Sequence, residues 1–241
     1  MNKNFCQAEH GYKRQRGPFI WLLMISLIFT ACSSLPEIKS SGLPGNADIR
    51  ERCRSFFPAG PYQFTHSIEA RLPDESRSMV LGIVLVDPPR EMIHSVIMTV
   101  EGFILFDARY HHRLLTVNQA VAPFDDPEFA EKIMADIKLI FSPPAGRLID
   151  TGALDNGFPL CRYRDEKGLT SDVLANRDFG WAINQYDSSG HLSRQVRAYS
   201  RNAEGIPERI ELSRHQSPRY GLKLMLLQAE RLSSDDKRLN Y

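Results

Sequence analysis

The chain of 241 residues has little net charge and few cysteines. Each of these features argues against one class of function. Its formal net charge is +1, and no basic stripe with interleaved aromatic residues is present, so it has no general attraction to nucleic acid. We therefore expect no nucleic-acid partner. Its four cysteines include no CxxC pair, which argues against a redox catalyst.

The common catalytic and phosphate-binding motifs are also missing, with no GxSxG, HExxH or GxGxxG pattern in the sequence. Gly152 and Gly157 have the spacing of a phosphate loop, but no lysine follows, so we interpret this stretch as an ordinary loop. His111 and His112 lie near Asp107, but adjacent strand residues point to opposite faces and cannot easily share one metal ion. We predict a protein that is not an enzyme and has no metal and no cofactor.

The only long apolar run is Phe19–Phe29. It is shorter than the roughly 20 residues needed to span a bilayer, and small residues follow it, so it is typical of a secretory leader. The basic residues that precede it are Lys3, Lys13, Arg14 and Arg16. We predict that residues 1–31 form a signal peptide.

Phe29-Thr30-Ala31-Cys32 resembles the bacterial lipobox, in which the cysteine thiol receives a diacylglycerol group. The resemblance implies a covalent lipid on Cys32, and two or three acyl chains hold a protein on a membrane far longer than one. Ser33 follows, where an aspartate usually signals retention at the inner membrane. We therefore expect the periplasmic face of the outer membrane. The alternative is an ordinary secretory leader with an incidental cysteine.

Composition divides the remainder into a tether, a domain and a tail. Residues 32–46 are rich in Ser, Pro and Gly, which is typical of a flexible tether. Residues 47–232 are predicted to form a single domain and residues 233–241 a polar C-terminal tail. Once the leader is removed and Cys32 is acylated, Cys53 and Cys161 remain in an oxidising compartment. They form either a disulfide or two separate buried thiols.

Residues of alternating polarity predict a group of strands in the first half of the domain. Residues 79–86 are apolar at every position, which indicates a strand covered on both faces. Glu101-Gly102 predicts a tight hairpin turn. The predicted strands are 62–72, 79–86, 92–100, 103–109 and 114–121.

The period then changes to that of a helix over 127–141, with Asp125 or Asp126 as the cap and Pro143-Pro144 as the stop. A shorter helix is predicted within 47–57. Strands resume at 179–186, 192–199, 206–213 and 222–228. This order predicts an α+β fold, a curved antiparallel sheet with an amphipathic helix packed on one face.

Four stretches of the sequence resemble a known family. They are Glu101–Phe106, leading towards a helix that ends at Asp136–Pro143, and the closing pattern Ile206–Leu212 followed by Tyr220–Leu224. With the leader, these resemble the DUF3261 lipoproteins, which are similar to the outer-membrane lipoprotein receptor LolB and its carrier LolA. The resemblance implies an incomplete β-barrel around a helix, with an apolar concave face that receives acyl chains.

The resemblance also implies partners. These are the lipoprotein sorting machinery and a hydrophobic ligand, either a lipoprotein acyl chain or a lipid-like metabolite such as an aryl polyene lipid. LolB carries an exposed apolar side chain on a protruding loop, and the Glu101-Gly102 turn has no such tip. We therefore expect handling of another amphiphile rather than strict LolB activity.

An apolar cavity needs large apolar side chains that the helix does not cover. The residues predicted to line it are Phe64, Ile68, Ile83, Leu85, Ile97, Phe103, Leu105 and Trp181. The alternative is that these residues fill the core and that the protein is a non-catalytic assembly or structural subunit of an envelope complex.

Overall fold

The computed structural model describes residues 35–39, 46–154, 157–176, 180–233 and 235–239. The predicted signal peptide and Cys32 lie outside these residues. Within them, no helix is both long enough and apolar enough to cross a membrane.

The described residues form two α-helices and one large sheet. Helix α1 is Asn46–Arg54 and helix α2 is Pro127–Phe141. The strands are β1 Tyr62–Arg71, β2 Arg77–Asp87, β3 Met92–Met98, β4 Ile104–His111, β5 Leu114–Ala120, β6 Arg147–Ala153, β7 Pro159–Arg164, β8 Thr170–Asn176, β9 Gly180–Tyr186, β10 Leu192–Arg201, β11 Pro207–Arg214 and β12 Tyr220–Arg231.

All twelve strands belong to one antiparallel sheet, in the order β5-β4-β3-β2-β1-β12-β11-β10-β9-β8-β7-β6. The first and last strands of the chain order, β1 and β12, pair in its middle, from Tyr62 opposite Arg231 to Arg71 opposite Gly221. The outermost strands β5 and β6 are not paired with each other. The sheet is therefore an open, incomplete barrel, and the predicted α+β fold with a curved antiparallel sheet is confirmed.

Helix α2 has the predicted bounds because its two ends carry strong local signals. The Asp126 side chain accepts a hydrogen bond from the Phe129 backbone N–H at 2.8 Å, which caps the first turn. Pro127 occupies that turn, where the missing N–H costs nothing. Beyond Ser142, Pro143 and Pro144 prevent the helix from continuing.

The core lies between helix α2 and one face of the sheet, which we call the inner face. Met134, Ile140 and Phe141 of the helix share a cluster with Phe64 and Phe106 of the sheet. One charge on the helix is buried with them, since Asp136 is 5% exposed. It is paired by Arg194 at 2.7 Å and by the Tyr220 hydroxyl, so its ionised form is compensated.

Strand β2 is covered on both faces along its second half, as its sequence predicts. Val84 and Val86 belong to the inner core. Leu85 points to the opposite, outer face, where it packs with Met92, Leu232 and Leu239. The cover on that face comes from the C-terminal segment.

The segment predicted to be a polar tail, 233–241, is therefore attached to the domain where the structure describes it. Leu239 is 6% exposed. Arg238 makes hydrogen bonds of 2.7 and 2.9 Å with Glu230 and one of 3.1 Å with Gln63. The segment is mostly charged and polar, but its Leu239 packs in the outer cluster with Leu85.

Part of the predicted flexible tether also lies on the domain. Lys39 pairs with Ala153 of β6 through two backbone hydrogen bonds, and Arg162 donates to the Pro36 carbonyl at 2.9 Å. A Cβ at Gly152 would lie 2.5 Å from Ile38, so glycine permits this close approach. An outermost strand such as β6 has free backbone groups that bind a neighbouring segment.

Strands β6 to β8 are not predicted by the sequence patterns. Their outer-facing positions include Arg162 and Asp172, which are 9% and 0% exposed. Leu160 and Leu174 lie on the same outer face and are also buried, so apolar residues occur on both faces and the alternation that identifies a strand is lost.

Candidate functional site

An aromatic cavity of about 180 Å³ opens on the inner face of the sheet, between the segment that follows helix α1 and the end of helix α2. The segment 55–59 after helix α1, the C-terminal turn of helix α2, strands β1 and β9, and the β10–β11 turn form its walls. The lining residues are Ser55, Phe56, Phe57, Pro58, Ala59, Tyr62, Phe64, His66, Ile140, Phe141, Trp181, Glu204, Gly205, Ile206, Pro207 and Ile210.

One wall of the cavity is fixed by a disulfide bond. Cys53 in the last turn of α1 is bonded to Cys161 of β7, and both are buried. Helix α1 ends at Arg54, and Pro58 cannot continue it. The residues that follow the helix, Phe56 and Phe57, therefore lie over the inner face beside Trp181.

The aromatic rings of the cavity are packed against one another. The Trp181 ring lies 6.1 Å from Phe56 and 5.7 Å from Phe57, and Phe64 lies 5.3 Å from Phe141 between ring centres. Aromatic pairs at these distances are favourable beyond their buried area. The walls are therefore apolar and held in place on both sides.

Few polar groups enter this apolar site. His66 is 2% exposed, and burial lowers its pKa to about 4, so its ring is neutral at pH 7. The Trp181 indole N–H is buried and has no hydrogen-bond acceptor among the described residues. Glu204 brings a carboxylate to the lining, and the described lining includes no Lys or Arg. The site can therefore hold an apolar group.

Of the residues predicted to line a cavity, Phe64 and Trp181 do so. Ile68 and Ile97 face the same side of the sheet but pack against the core instead. A Cβ at Gly82 would lie 2.6 Å from the Ile68 side chain. This glycine therefore lets Ile68 lie flat on the sheet, and no space remains at that point.

The other predicted cavity residues lie outside the inner face. Ile83 and Leu85 are on the outer face, beside Arg238. Leu105 precedes the buried Phe106 and so points to the opposite side of β4. Phe103 lies beyond the sheet and is 72% exposed. These four residues do not line the aromatic cavity. In β2, which is apolar at every position from 79 to 86, the sequence does not reveal which face is the inner one.

The cavity is also lined by Phe56, Phe57 and Phe141, which the sequence patterns do not place there. The first two lie outside the sheet, in a segment whose sequence predicts the end of a short helix. A pair of aromatic residues directly before Pro58 was an available signal, because such a pair must be buried somewhere after the helix has ended. Phe141 was predicted only as part of the helix core.

The β3–β4 hairpin has an exposed apolar tip, contrary to the expectation from its Glu101-Gly102 turn. Val100 is 57% and Phe103 is 72% exposed. The hairpin is closed by Thr99 N–H bonding to the Phe103 carbonyl at 2.9 Å, and Gly102 has a φ of +91°. Val100 and Phe103 lie on either side of the polar Glu101-Gly102 turn, so the sequence of the turn alone does not predict an apolar tip.

The histidines considered for a metal site are not joined by carboxylates. Asp107 is bonded to His94 at 2.8 Å on the outer face. His111 and His112 stack on each other with ring centres 3.9 Å apart. In the described part of the chain, no group of three or more His, Cys, Asp or Glu residues has the arrangement of a metal site.

Several solved protein structures have a similar fold. A LolA superfamily protein from Nitrosomonas europaea aligns with a TM-score of 0.56 and 15% identity, covering 79% of this chain and 95% of that one. A DUF1329 family protein from Desulfovibrio piger aligns with a TM-score of 0.50 and 8% identity, over 80% and 95% of the two chains. The chain has a LolA-like fold. No family model matches its sequence, and no curated protein matches it.

Proposed function

We propose that this protein is a DUF3261-type lipoprotein that binds the apolar part of an amphiphile in the aromatic cavity. The ligand is either a lipoprotein acyl chain or a lipid-like metabolite such as an aryl polyene lipid. The proposal is carried by one observation, an apolar cavity on the inner face of a LolA-like sheet, beside the end of helix α2. The protein acts as a binding or receiving module, without catalysis and without a cofactor.

The size of the cavity indicates how the ligand binds. An engineered cavity of about 150 Å³ holds a benzene molecule, so about 180 Å³ holds one end of an amphiphile rather than a whole long chain. Helix α2 packs against the inner face beside the cavity. This packing favours the second candidate function, an assembly or structural subunit of an envelope complex, in which the cavity receives a side chain of a partner.

Ligand binding is tested with a non-lipidated form that begins at Ser33. We expect it to bind a fluorescent fatty-acid probe, and native mass spectrometry of the protein from cells to show a bound amphiphile. Ala59→Trp, at the exposed rim of the cavity, should weaken probe binding by about tenfold, or about 1.4 kcal/mol. Leu227→Trp at an exposed site on β12 is the control. An empty protein that does not bind the probe would support the assembly subunit.

The membrane anchor is part of the proposal. Lipid on Cys32 would hold the domain at the periplasmic face of the outer membrane and bring it to the lipoprotein sorting machinery. Cys32→Ser removes the thiol that would carry the lipid, so palmitate labelling should be lost. Because each buried methylene contributes about 0.8 kcal/mol to membrane binding, the protein should also be depleted from the outer-membrane fraction. Cys6→Ser, in the predicted leader, is the matched control and should change neither. Palmitate labelling that persists in Cys32→Ser would exclude this anchor.

The exposed hairpin tip is proposed to contact the membrane when the ligand is passed on. Burying one large apolar side chain contributes about 1.5–3 kcal/mol, so Phe103→Asp should reduce vesicle binding of the non-lipidated form by about tenfold or more. Leu114→Asp is the control, because Leu114 is 68% exposed at the opposite end of strand β4. Equal losses in the two variants would show that the tip has no special role.

A further inference from the structure

The segment 35–39 provides a further inference, which rests on the proposed lipid anchor. It lies on the outer face of strands β6 to β8 and contacts the domain through successive residues. Lys39 exchanges backbone hydrogen bonds of 2.9 and 3.2 Å with the last residue of β6. Ile38 packs against a buried apolar cluster of this face. The Pro36 carbonyl accepts a hydrogen bond of 2.9 Å from Arg162. The segment is therefore docked on the sheet.

The order of these contacts gives the docked segment a direction. Lys39 lies beside the β6–β7 turn, whereas Pro36 is bound by Arg162 in the second half of β7. Towards its N-terminus the segment therefore runs to the β7–β8 turn. Two residues separate Leu35 from Cys32, and the peptide units between them span at most about 11 Å. A lipid on Cys32 would therefore leave the domain near the β7–β8 turn.

Exposed apolar residues lie at the same end of the sheet. The antiparallel register places the β1–β2, β3–β4 and β7–β8 turns together at this end, which we call the hairpin end. Leu72, Met79, Val100 and Phe103, at the two neighbouring turns β1–β2 and β3–β4, are all exposed. Clustered apolar side chains at a surface mark a contact with a membrane or a protein. The exit of the lipid at the same end favours the membrane.

The aromatic cavity lies at the opposite end of the sheet. Tyr62, the first residue of β1, lines it together with Glu204 and Gly205 of the β10–β11 turn. Arg71, the last residue of β1, lies at the hairpin end. A strand of ten residues separates the two ends by about 30 Å.

We propose that the docked segment 35–39 holds the hairpin end of the domain against the bilayer, so that the aromatic cavity opens away from the membrane. The segment then acts as a short, fixed link between the lipid and the domain. The surface that meets the lipid is formed by the exposed apolar residues of the hairpin end. A ligand enters the cavity from the aqueous side and not from within the leaflet.

Trypsin cleavage tests the docking in the form that begins at Ser33. Lys39 is the only Lys or Arg within residues 33–49. Its backbone is paired with β6, and cleavage of a paired segment requires that it open first. Cleavage after Lys39 should therefore be slow in the parent protein, and mass spectrometry identifies the product as a domain that begins at Ser40.

Two variants release the segment in different ways. A Cβ at position 152 would lie 2.5 Å from Ile38, so Gly152→Val should accelerate cleavage after Lys39 by about tenfold or more. Ile38→Asp should have the same effect from within the segment, and it remains informative if Gly152→Val does not fold. Gly221→Val is the matched control, because a Cβ there makes an ordinary contact, 3.7 Å from the Leu212 carbonyl oxygen.

Fluorescence quenching by a nitroxide on the lipid head group tests the orientation. A form that begins at Cys32 is coupled through this thiol to a maleimide lipid in phosphatidylcholine vesicles, since Cys53 and Cys161 are bonded to each other. Lys167→Trp reports from the β7–β8 turn and Ala59→Trp from the cavity rim, both at exposed positions. The nitroxide should quench the emission added at position 167 and leave that added at position 59 unchanged.

The outcomes distinguish this inference from the proposed anchor. Adding Gly152→Val should reduce the difference in quenching between positions 167 and 59, because the link is released. Equal quenching at the two positions in the parent, or equal cleavage of the parent and both releasing variants, would overturn the inference. With palmitate still found on Cys32 in cells, the proposed anchor would survive that result. If cells attach no palmitate to Cys32, both fail.

Discussion

Asp172→Asn should lower the free energy of unfolding by about 3–5 kcal/mol, because it leaves a buried guanidinium without its counterion. Asp172 is 0% exposed and lies on β8 beside Arg162 of β7. The Arg162 Nε and Nη2 atoms lie 2.6 and 2.7 Å from the two carboxylate oxygens, a bidentate geometry that restrains both side chains. Equilibrium denaturation in urea measures the change.

Two further variants make this result specific. Replacing both partners with apolar residues, as in Arg162→Met with Asp172→Leu, should recover most of the loss, since no buried charge then remains. Glu75→Gln removes one partner of the Arg71–Glu75 pair, whose side chains are 61% and 71% exposed, and should change stability by at most about 1 kcal/mol. If Asp172→Asn is as stable as Glu75→Gln, the β7–β8 pair is open to solvent.

The same ion pair shows why part of the sheet could not be predicted. Alternation identifies a strand only where one face meets water and the other meets the core. In β7 and β8 residues 35–39 cover the outer face, which carries the apolar Leu160 and Leu174 beside the buried Arg162 and Asp172. Arg162 and Asp172 come together only when β7 and β8 form a hairpin. In the sequence, each of them resembles an ordinary charged residue at the surface.

Helix α2 and strand β1 illustrate what the sequence did allow. The helix ends are set by neighbours in the chain, Asp126 before it and Pro143 after it, so its bounds needed no tertiary information. In β1 the alternation of Phe64 and His66 with polar neighbours is regular, because only one face of the strand is in the core. Local signals are sufficient where burial is one-sided.

The cavity could not be predicted in the same way, because it depends on which face of each strand is the inner one. In β2 both Val84 and Leu85 are buried and, as neighbours on a strand, point to opposite faces. Only the register with β1, which places Val84 opposite Phe64, shows that Val84 is on the inner face. The cavity is also completed by Phe56 and Phe57, whose position follows from a bond between residues 108 positions apart.

That bond leads to the second large effect. Replacing Cys53 and Cys161 together with alanine should lower the free energy of unfolding by about 2–5 kcal/mol, since the disulfide closes a loop of more than 100 residues in the unfolded chain. The effect should also reach the cavity, because helix α1 leads directly into the wall formed by Phe56 and Phe57. We expect weaker binding of the fatty-acid probe at temperatures well below the unfolding transition.

A reducing agent provides the matched control for the double variant. The parent protein treated with dithiothreitol should fall to the stability and the probe affinity of the variant, whereas the variant itself should not respond. Denaturation and probe titration, each with and without the reductant, measure both effects. A parent protein that keeps its affinity after complete reduction would show that packing against Trp181 holds the wall, and that the disulfide stabilises the fold without shaping the site.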